Sequence, residues 1–331
     1  MTDPTQLVQA REAGRPVRYR DLPAADGIRH SWGLWGADDV FGCLNRLNAD
    51  VVLAARDCVR RGAVFPLNWD IALPEPGLFE RPSLRHELVH ATEAMPLNDV
   101  ISDWNTQSSS QWDGFRHVTW AGHGQYNGLD RHGVHHWARR GIVGRAVLAD
   151  VARWRQETGR PLRYDLPDPV TADDLRATLA WQGTQPQAGD ILLIRVGWIA
   201  WYLAADAATR AEIADRRRMV SPGLLAEEAT AELLWDLELA AVAADNPSLE
   251  LWPTRSDGAT RAADGSWELV FEVSLHTRIL AGLGLPIGEM WDMERLASDC
   301  AADGTYTGML CASPLNLAGA AASPANVLVV K

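Results

Sequence analysis

The run Asp190-Ile-Leu-Leu-Ile-Arg-Val196, bounded by Gly189 and Gly197, has the length and unbroken apolar character of a buried strand. A chain with such a strand must bring further strands and covering layers to it, and the rest of the sequence supplies them. Ala63 to Ile71, Gly141 to Val151, Leu239 to Ala244, Glu268 to Glu272, Tyr306 to Ser313 and Asn326 to Val330 read as further strands. Helices are expected over Asn48 to Gly62, with Asn48 or Asp50 as cap, over Thr171 to Ala180, with Thr171 as N-cap, and over Leu224 to Leu237. Several strands have no helix between them long enough for a regular βαβ series. The expected class is therefore mixed α/β, with a mixed, barrel-like sheet in one domain. No Pro/Ser-rich linker divides the 331 residues, so one domain is expected, residues 30–331, with residues 1–29 as an N-terminal arm.

Composition removes several function classes. The formal charge of −12 lacks the basic footprint of a nucleic-acid binder. No run approaches the 18–20 or so apolar residues of a membrane span, and Met1 to Gly14 is polar, so a cytoplasmic protein without nucleic-acid or membrane partners is expected. The scattered Cys43, Cys58, Cys300 and Cys311 read as reduced, buried thiols. No Walker loop, Gly-x-Gly-x-x-Gly or Gly-x-Ser-x-Gly elbow anchors a nucleotide, flavin or serine-hydrolase reading. The 15 tryptophans point either to a core rich in Trp or to an aromatic-lined site, for which Trp32, Trp35 and Trp112 are the candidates.

The segment Gln107-Ser-Ser-Ser-Gln-Trp-Asp-Gly-Phe-Arg-His117 gathers two amides, a carboxylate and an imidazole. As one extended strand it would spread them over roughly 30 Å, at about 3.3 Å per residue. Convergence on one reacting centre requires a turn, which the serines and Gly114 permit. His132, His135 and His136 have ligand-like spacing, but Arg139 and Arg140 follow them, so a structural or surface role is expected. His86, His90, His30 and His123 are read the same way, although His123 lies near the segment in sequence.

This segment resembles the signature of the cyclase family of hydrolases, which includes kynurenine formamidases and isatin hydrolases: His-x-Gly-Thr-His-x-Asp-x-Pro-x-His. Gln107 and Gln111 stand at the two metal-binding His positions, Asp113 at the metal-bridging Asp, and His117 at the acid/base His. Ser31 to Asp39, Gly42 to Asn45, Gly141 to Asp150, Thr171 to Leu175 with Gly189 to Leu193, Pro314 to Leu317 and Ser323-Pro324 are similar to family segments in the same order. His276 and Glu289 match its second pair of site residues.

The resemblance implies the family's β/α fold over residues 30–331, a homodimer or homotetramer, and a small-molecule substrate. It implies hydrolysis of an amide, imide or lactone bond, with His117 moving the proton, Asp113 orienting it, Gln107 and Gln111 positioning the carbonyl, and His276 and Glu289 opposite. Because amides are weak ligands for zinc, no cofactor is expected. The alternative is a divalent Mn, Mg or Zn ion held by Asp113, His276 and Glu289. Two other readings compete: a polyketide-type cyclase or dehydratase, and a non-catalytic small-molecule-binding protein.

Overall fold

The structure, a computed structural model, describes residues 4–90, 92, 96–254, 261–267 and 274–331. Its centre is a nine-stranded sheet. In chain order the strands are β1 (Val64–Pro66), β2 (Gln111–Asp113), β3 (Ile142–Asp150), β4 (Ile191–Arg195), β5 (Ala241–Ala244), β6 (Ile287–Glu289), β7 (Thr307–Ala312), β8 (Ala322–Pro324) and β9 (Val327–Val330). Their spatial order is β8-β2-β6-β5-β4-β3-β7-β9-β1. The four middle strands, β3 to β6, run parallel, and antiparallel pairs extend both sides. The sheet curls into a half-barrel, in line with the mixed, barrel-like α/β class read from the sequence. The strand expected over 268–272 lies outside the described residues.

Ile191, Leu192, Leu193 and Ile194 of β4 are completely buried. Continuous burial along a strand means that both sheet faces are covered, which is the usual state of parallel strands and the reason for the unbroken apolar run. Each such side chain contributes roughly 1.5–3 kcal/mol by leaving water. On one side lies the helix Ala172–Trp181, started as expected by Thr171, which accepts from Asp174 N in a reciprocal capping box. The helix after Asn48 is shorter than expected, Ala49–Arg56. That after Leu224 begins only at Glu228, because Gly223–Leu224 pairs instead with Pro169–Val170.

The N-terminal 29 residues are tied to the body. Val17, Tyr19 and Leu22 are buried in the main core, Trp235 Nε1 donates to Val17 O at 2.8 Å, and Tyr19 N donates to Asp236 Oδ1 at 2.7 Å. All four cysteines are free. No helix among the described residues is long and apolar enough to cross a membrane.

The parallel strands end on one edge of the sheet, the edge at which ligands of open α/β sheets bind. Glu289 ends β6 there, and the loop after β5 carries Asn246 to Glu250 to the same edge. Strand β2 lies antiparallel beside β6 with Gln111 directly opposite Glu289 and Asp113 opposite Ile287. A side-chain period of two puts Gln111, Asp113 and Glu289 on one face and Trp112 on the other.

Candidate active site

The Gln107–His117 segment does turn. Gln107 N donates to Asn105 Oδ1 at 2.8 Å and Ser108 Oγ to Asn105 O at 2.7 Å, the side-chain bonding by which Asn and Ser build turns. Ser109 Oγ bonds Asp70 O and Ser110 Oγ bonds Met290 O, fixing the turn against neighbouring chain. After the three residues of β2 the chain turns again, and His117 N donates to Gly114 O at 2.8 Å. Gly114 is required by space: a Cβ there would lie 2.7 Å from Ala321 O.

These turns bring Gln107, Asp113 and His117 together. Gln107 Nε2 donates to Asp113 Oδ1 at 2.8 Å and lies 3.1 Å from His117 Nδ1. One N–H to each partner leaves a lone pair on His117 Nδ1. Gln107, rather than Asp113 itself, is thus the group that bridges carboxylate and imidazole. Gln111 Nε2 donates to Glu289 Oε2 at 2.5 Å and approaches Asp113 Oδ1 at 3.3 Å.

The second stretch closes the site. His276, at the start of the π-helical turn Thr277–Gly282, places Nε2 3.1 Å from Glu289 Oε1 and 3.7 Å from Asp113 Oδ2. Its Nδ1 is 2.6 Å from Glu250 Oε1, and Glu250 Oε2 accepts from Leu275 N at 2.7 Å. All six residues expected to form the site therefore meet, although His276 is separated from His117 by more than 150 residues.

The charges follow from this packing. Burial disfavours a charged His276, but the hydrogen-bonding carboxylates of Asp113, Glu250 and Glu289 outweigh it and raise its pKa well above the ordinary value. Burial also works against the Asp113 carboxylate, yet His117, His276 and Arg81 hold its pKa down at about 2. Burial, then the Asp113 charge, pushes Glu289 up to about 7 against the pull of His276. His117 is shifted downward by burial, with the His276 and Arg81 charges adding to it and Asp113 opposing. At neutral pH the cavity thus holds a neutral imidazole at 117 and a cationic one at 276.

Two members of the site were not foreseen. Glu250 clamps His276; the one sequence sign of it is its place just beyond the carboxyl end of a parallel strand. Arg81 lines the cavity from a loop of no recognisable pattern, and its Nη1 donates to Gln107 O at 2.5 Å. The cavity of about 240 Å³ has Phe79, Val118, Pro247 and Trp252 as its apolar walls. Trp32, Trp35 and Trp112 are not among its lining residues. Trp112 points through the sheet to the opposite side, where it packs on Trp291 with ring centres 4.7 Å apart. Trp35 packs on Trp235, and Trp32 on Trp120 with its Nε1 bonded to Ala281 O. The remaining histidines stay outside as expected; His132, for example, bonds Tyr126 O.

Asp113, His117 and His276 offer ligand atoms that all lie within 4.8 Å of one another, the one such group among the described residues. Two imidazoles and a carboxylate with open positions form a donor set that suits a single catalytic divalent ion. Glu250 behind His276 Nδ1 is the carboxylate that commonly orients a ligating histidine. Gln111 Oε1 is buried with no hydrogen-bond partner among the described residues, a neutral oxygen left over at this centre. The residues present fit a divalent ion, so the expectation of no cofactor lacks support here. This grouping contains Asp113 and His276 of the expected ligand set, with His117 beside them as a candidate ligand in addition to Glu289.

The comparisons agree with this arrangement. Residues 67–251, more than half of the chain, match the model of the family named Cyclase. A crystal structure described as a novel cyclase is 28% identical, with TM-score 0.75, covering 91% of this chain and 99% of its own. Isatin hydrolase A from Ralstonia solanacearum (20% identical, TM-score 0.56) and that from Labrenzia aggregata (18%, TM-score 0.54) share the fold; each alignment covers 86% of this chain and 98% of theirs. A search of curated proteins finds no match. With the family model spanning more than half of the chain, including strands β2 to β5 and the whole Gln107–His117 segment, the chain belongs to the cyclase family.

Proposed function

We propose that this protein is a hydrolase that cleaves an amide, imide or lactone bond of a small cyclic or aromatic substrate by acid–base chemistry of His117 and Asp113. The observation that carries the reading is the meeting of a neutral imidazole, a cationic imidazole and buried carboxylates, from two distant stretches of chain, at the base of one small, mostly apolar cavity. Opposite titration behaviour in adjacent groups is how a fold assigns base and acid roles.

In this reading water adds to the acyl carbon, the C–N or C–O bond breaks, and the acid and its amine or alcohol leave. The Nδ1 lone pair of His117, released from the Gln107 N–H, takes the proton from water and returns it to the leaving nitrogen or oxygen. Gln107 orients His117 and ties it to the charge of Asp113. Gln111 holds Asp113 and Glu289 at their spacing. His276 keeps positive charge between those carboxylates, on its Nε2 proton or by ligating an ion there. Asp113, His117 and His276, with Gln111 Oε1 in the same cluster, would alternatively hold a divalent ion; the His117 lone pair would then serve as a ligand, and the ion would supply the polarisation of the acyl oxygen and the activation of water in its place. The test is a panel of aryl amides, cyclic imides and lactones, assayed with the ion removed and restored. Release of acid above the level of an Asp113→Asn blank is expected; silence across the panel under every metal condition would favour a binding protein instead.

The same reading places a homodimer or homotetramer on the hairpin Arg85–His90/Leu97–Ser102. Among the described residues its strands pair only with each other, and almost every residue of them is exposed. One face carries Leu88, Leu97 and Ile101, which are 60%, 51% and 45% exposed. A lone two-stranded hairpin is marginal in water, and apolar side chains on an unpaired edge invite a partner. Light scattering should give a multiple of the 36.3 kDa chain mass, and Leu88→Lys with Ile101→Lys should return it to one chain. A monomeric wild-type protein would remove this assignment.

A further inference from the structure

Among the described residues Arg81 is the one cation that lines the cavity without a site role in the reading above. Its guanidinium makes one hydrogen bond, to Gln107 O, and forms no ion pair among the described residues. It sits over the Phe79 ring, 5.0 Å from the centroid, and Phe79 in turn meets Trp252 edge-on at 5.1 Å. A guanidinium carries five N–H donors in a fixed fork. Among the described residues one is used, by Gln107 O, and the side chain lines the cavity wall. Burial pulls its pKa down, opposed by Asp113 and Glu289. Those two carboxylates, with Glu250, outnumber the single cation His276, and Arg81 adds positive charge beside them at the cavity wall.

We propose that Arg81 anchors the acyl oxygen of an aroyl substrate: an amide, imide or lactone whose carbonyl is attached directly to an aromatic ring, released as an aryl carboxylate. The proposal rests on the hydrolase reading and narrows its substrate class. The apolar walls Phe79, Val118, Pro247 and Trp252 are suited to a planar ring, and about 240 Å³ confines the ligand to a size below that of ordinary drug pockets. The fork of Arg81 meets the oxygen that gains negative charge as water adds and that ends as half of a carboxylate, an arrangement planar guanidinium groups bind through two parallel hydrogen bonds.

The experiment is calorimetric titration of the full-length protein with benzoate and with its neutral isostere benzamide, each with and without chelator. Neither probe needs to be turned over, so the result is independent of whether the hydrolase reading holds. Benzoate is expected to bind at least tenfold more tightly than benzamide, with the chelator leaving most of that preference. Arg81→Gln should abolish the preference, and Arg81→Lys, which keeps the charge but loses the fork, should restore part of it. Equal binding of the two probes by the wild type, retention of the preference in Arg81→Gln, or its loss on chelation alone would each overturn the proposal. A thermal melt of each variant separates these outcomes from misfolding, and if Arg81→Gln is unfolded the lysine variant carries the comparison.

Discussion

Replacing His117 by alanine is expected to lower turnover by between about 100-fold and 10,000-fold, the usual worth of a positioned proton-transfer group. The protein should remain folded. His117 lines the cavity, and its ring bonds only the Gln107 amide. Unlike the carboxylates behind it, it leaves no buried charge unpaired when removed. The wild-type pH profile carries the same signature. Because the His117 pKa is lowered, the free base persists below the ordinary imidazole value of about 6.5. The acid limb of kcat/KM should therefore fall below that pH. An acid limb at or above 7, or a His117→Ala enzyme of near-normal rate, would place the proton transfer elsewhere.

The second large effect is on stability. His276 stands between Asp113, Glu289 and Glu250, all three buried. Truncation to alanine leaves those carboxylates without their cation, and breaking a buried ionic cluster in this way costs about 3–5 kcal/mol. For a chain of this length that lowers the melting midpoint by roughly 4–7 °C. The sign of the pH dependence follows from the raised pKa of His276. The folded state holds this proton more tightly than the unfolded state. Its stabilisation is complete below about pH 6.5 and is lost as pH rises through the folded-state pKa. Glu289, raised to about 7, adds a loss in the same direction between about pH 4.3 and 7. Melting curves in chelator should show the wild type losing stability from neutral into alkaline pH, and His276→Ala losing much less. A variant as stable as the wild type would mean that the carboxylates are neutralised by some other group.

Much of the framework was legible because local chemistry determined it. The unbroken apolar run of β4 reports burial on both faces, and Thr171 with Asp174 three residues later reports a helix start. The turn at Gln107 was legible because an extended strand would spread its polar groups too far and the serines and Gly114 permit a turn, whereas the part of Asn105 in it was not. Trp112 shows where the reading stopped short. The same period of two that aligns Gln111 with Asp113 sends the residue between them to the other face. There, Gly288 opposite leaves the space that the Trp291 ring occupies. Arg81 and Glu250 were not legible, because nothing in their neighbourhoods distinguishes them from surface charges. Only the tertiary fold brings them to the cavity. The same is true of the pairing of His276 with Glu250, which converts an ordinary imidazole into a buried cation.

The measurement that bears most directly on the proposed chemistry is turnover in water enriched in oxygen-18, with the product analysed by mass spectrometry. Hydrolysis at the His117–Asp113 centre predicts one heavy oxygen in the released carboxylate, with the labelled product forming about 100-fold to 10,000-fold more slowly once His117 is replaced. A product formed at full rate without the label would instead mean ring closure or elimination, and would contradict the account.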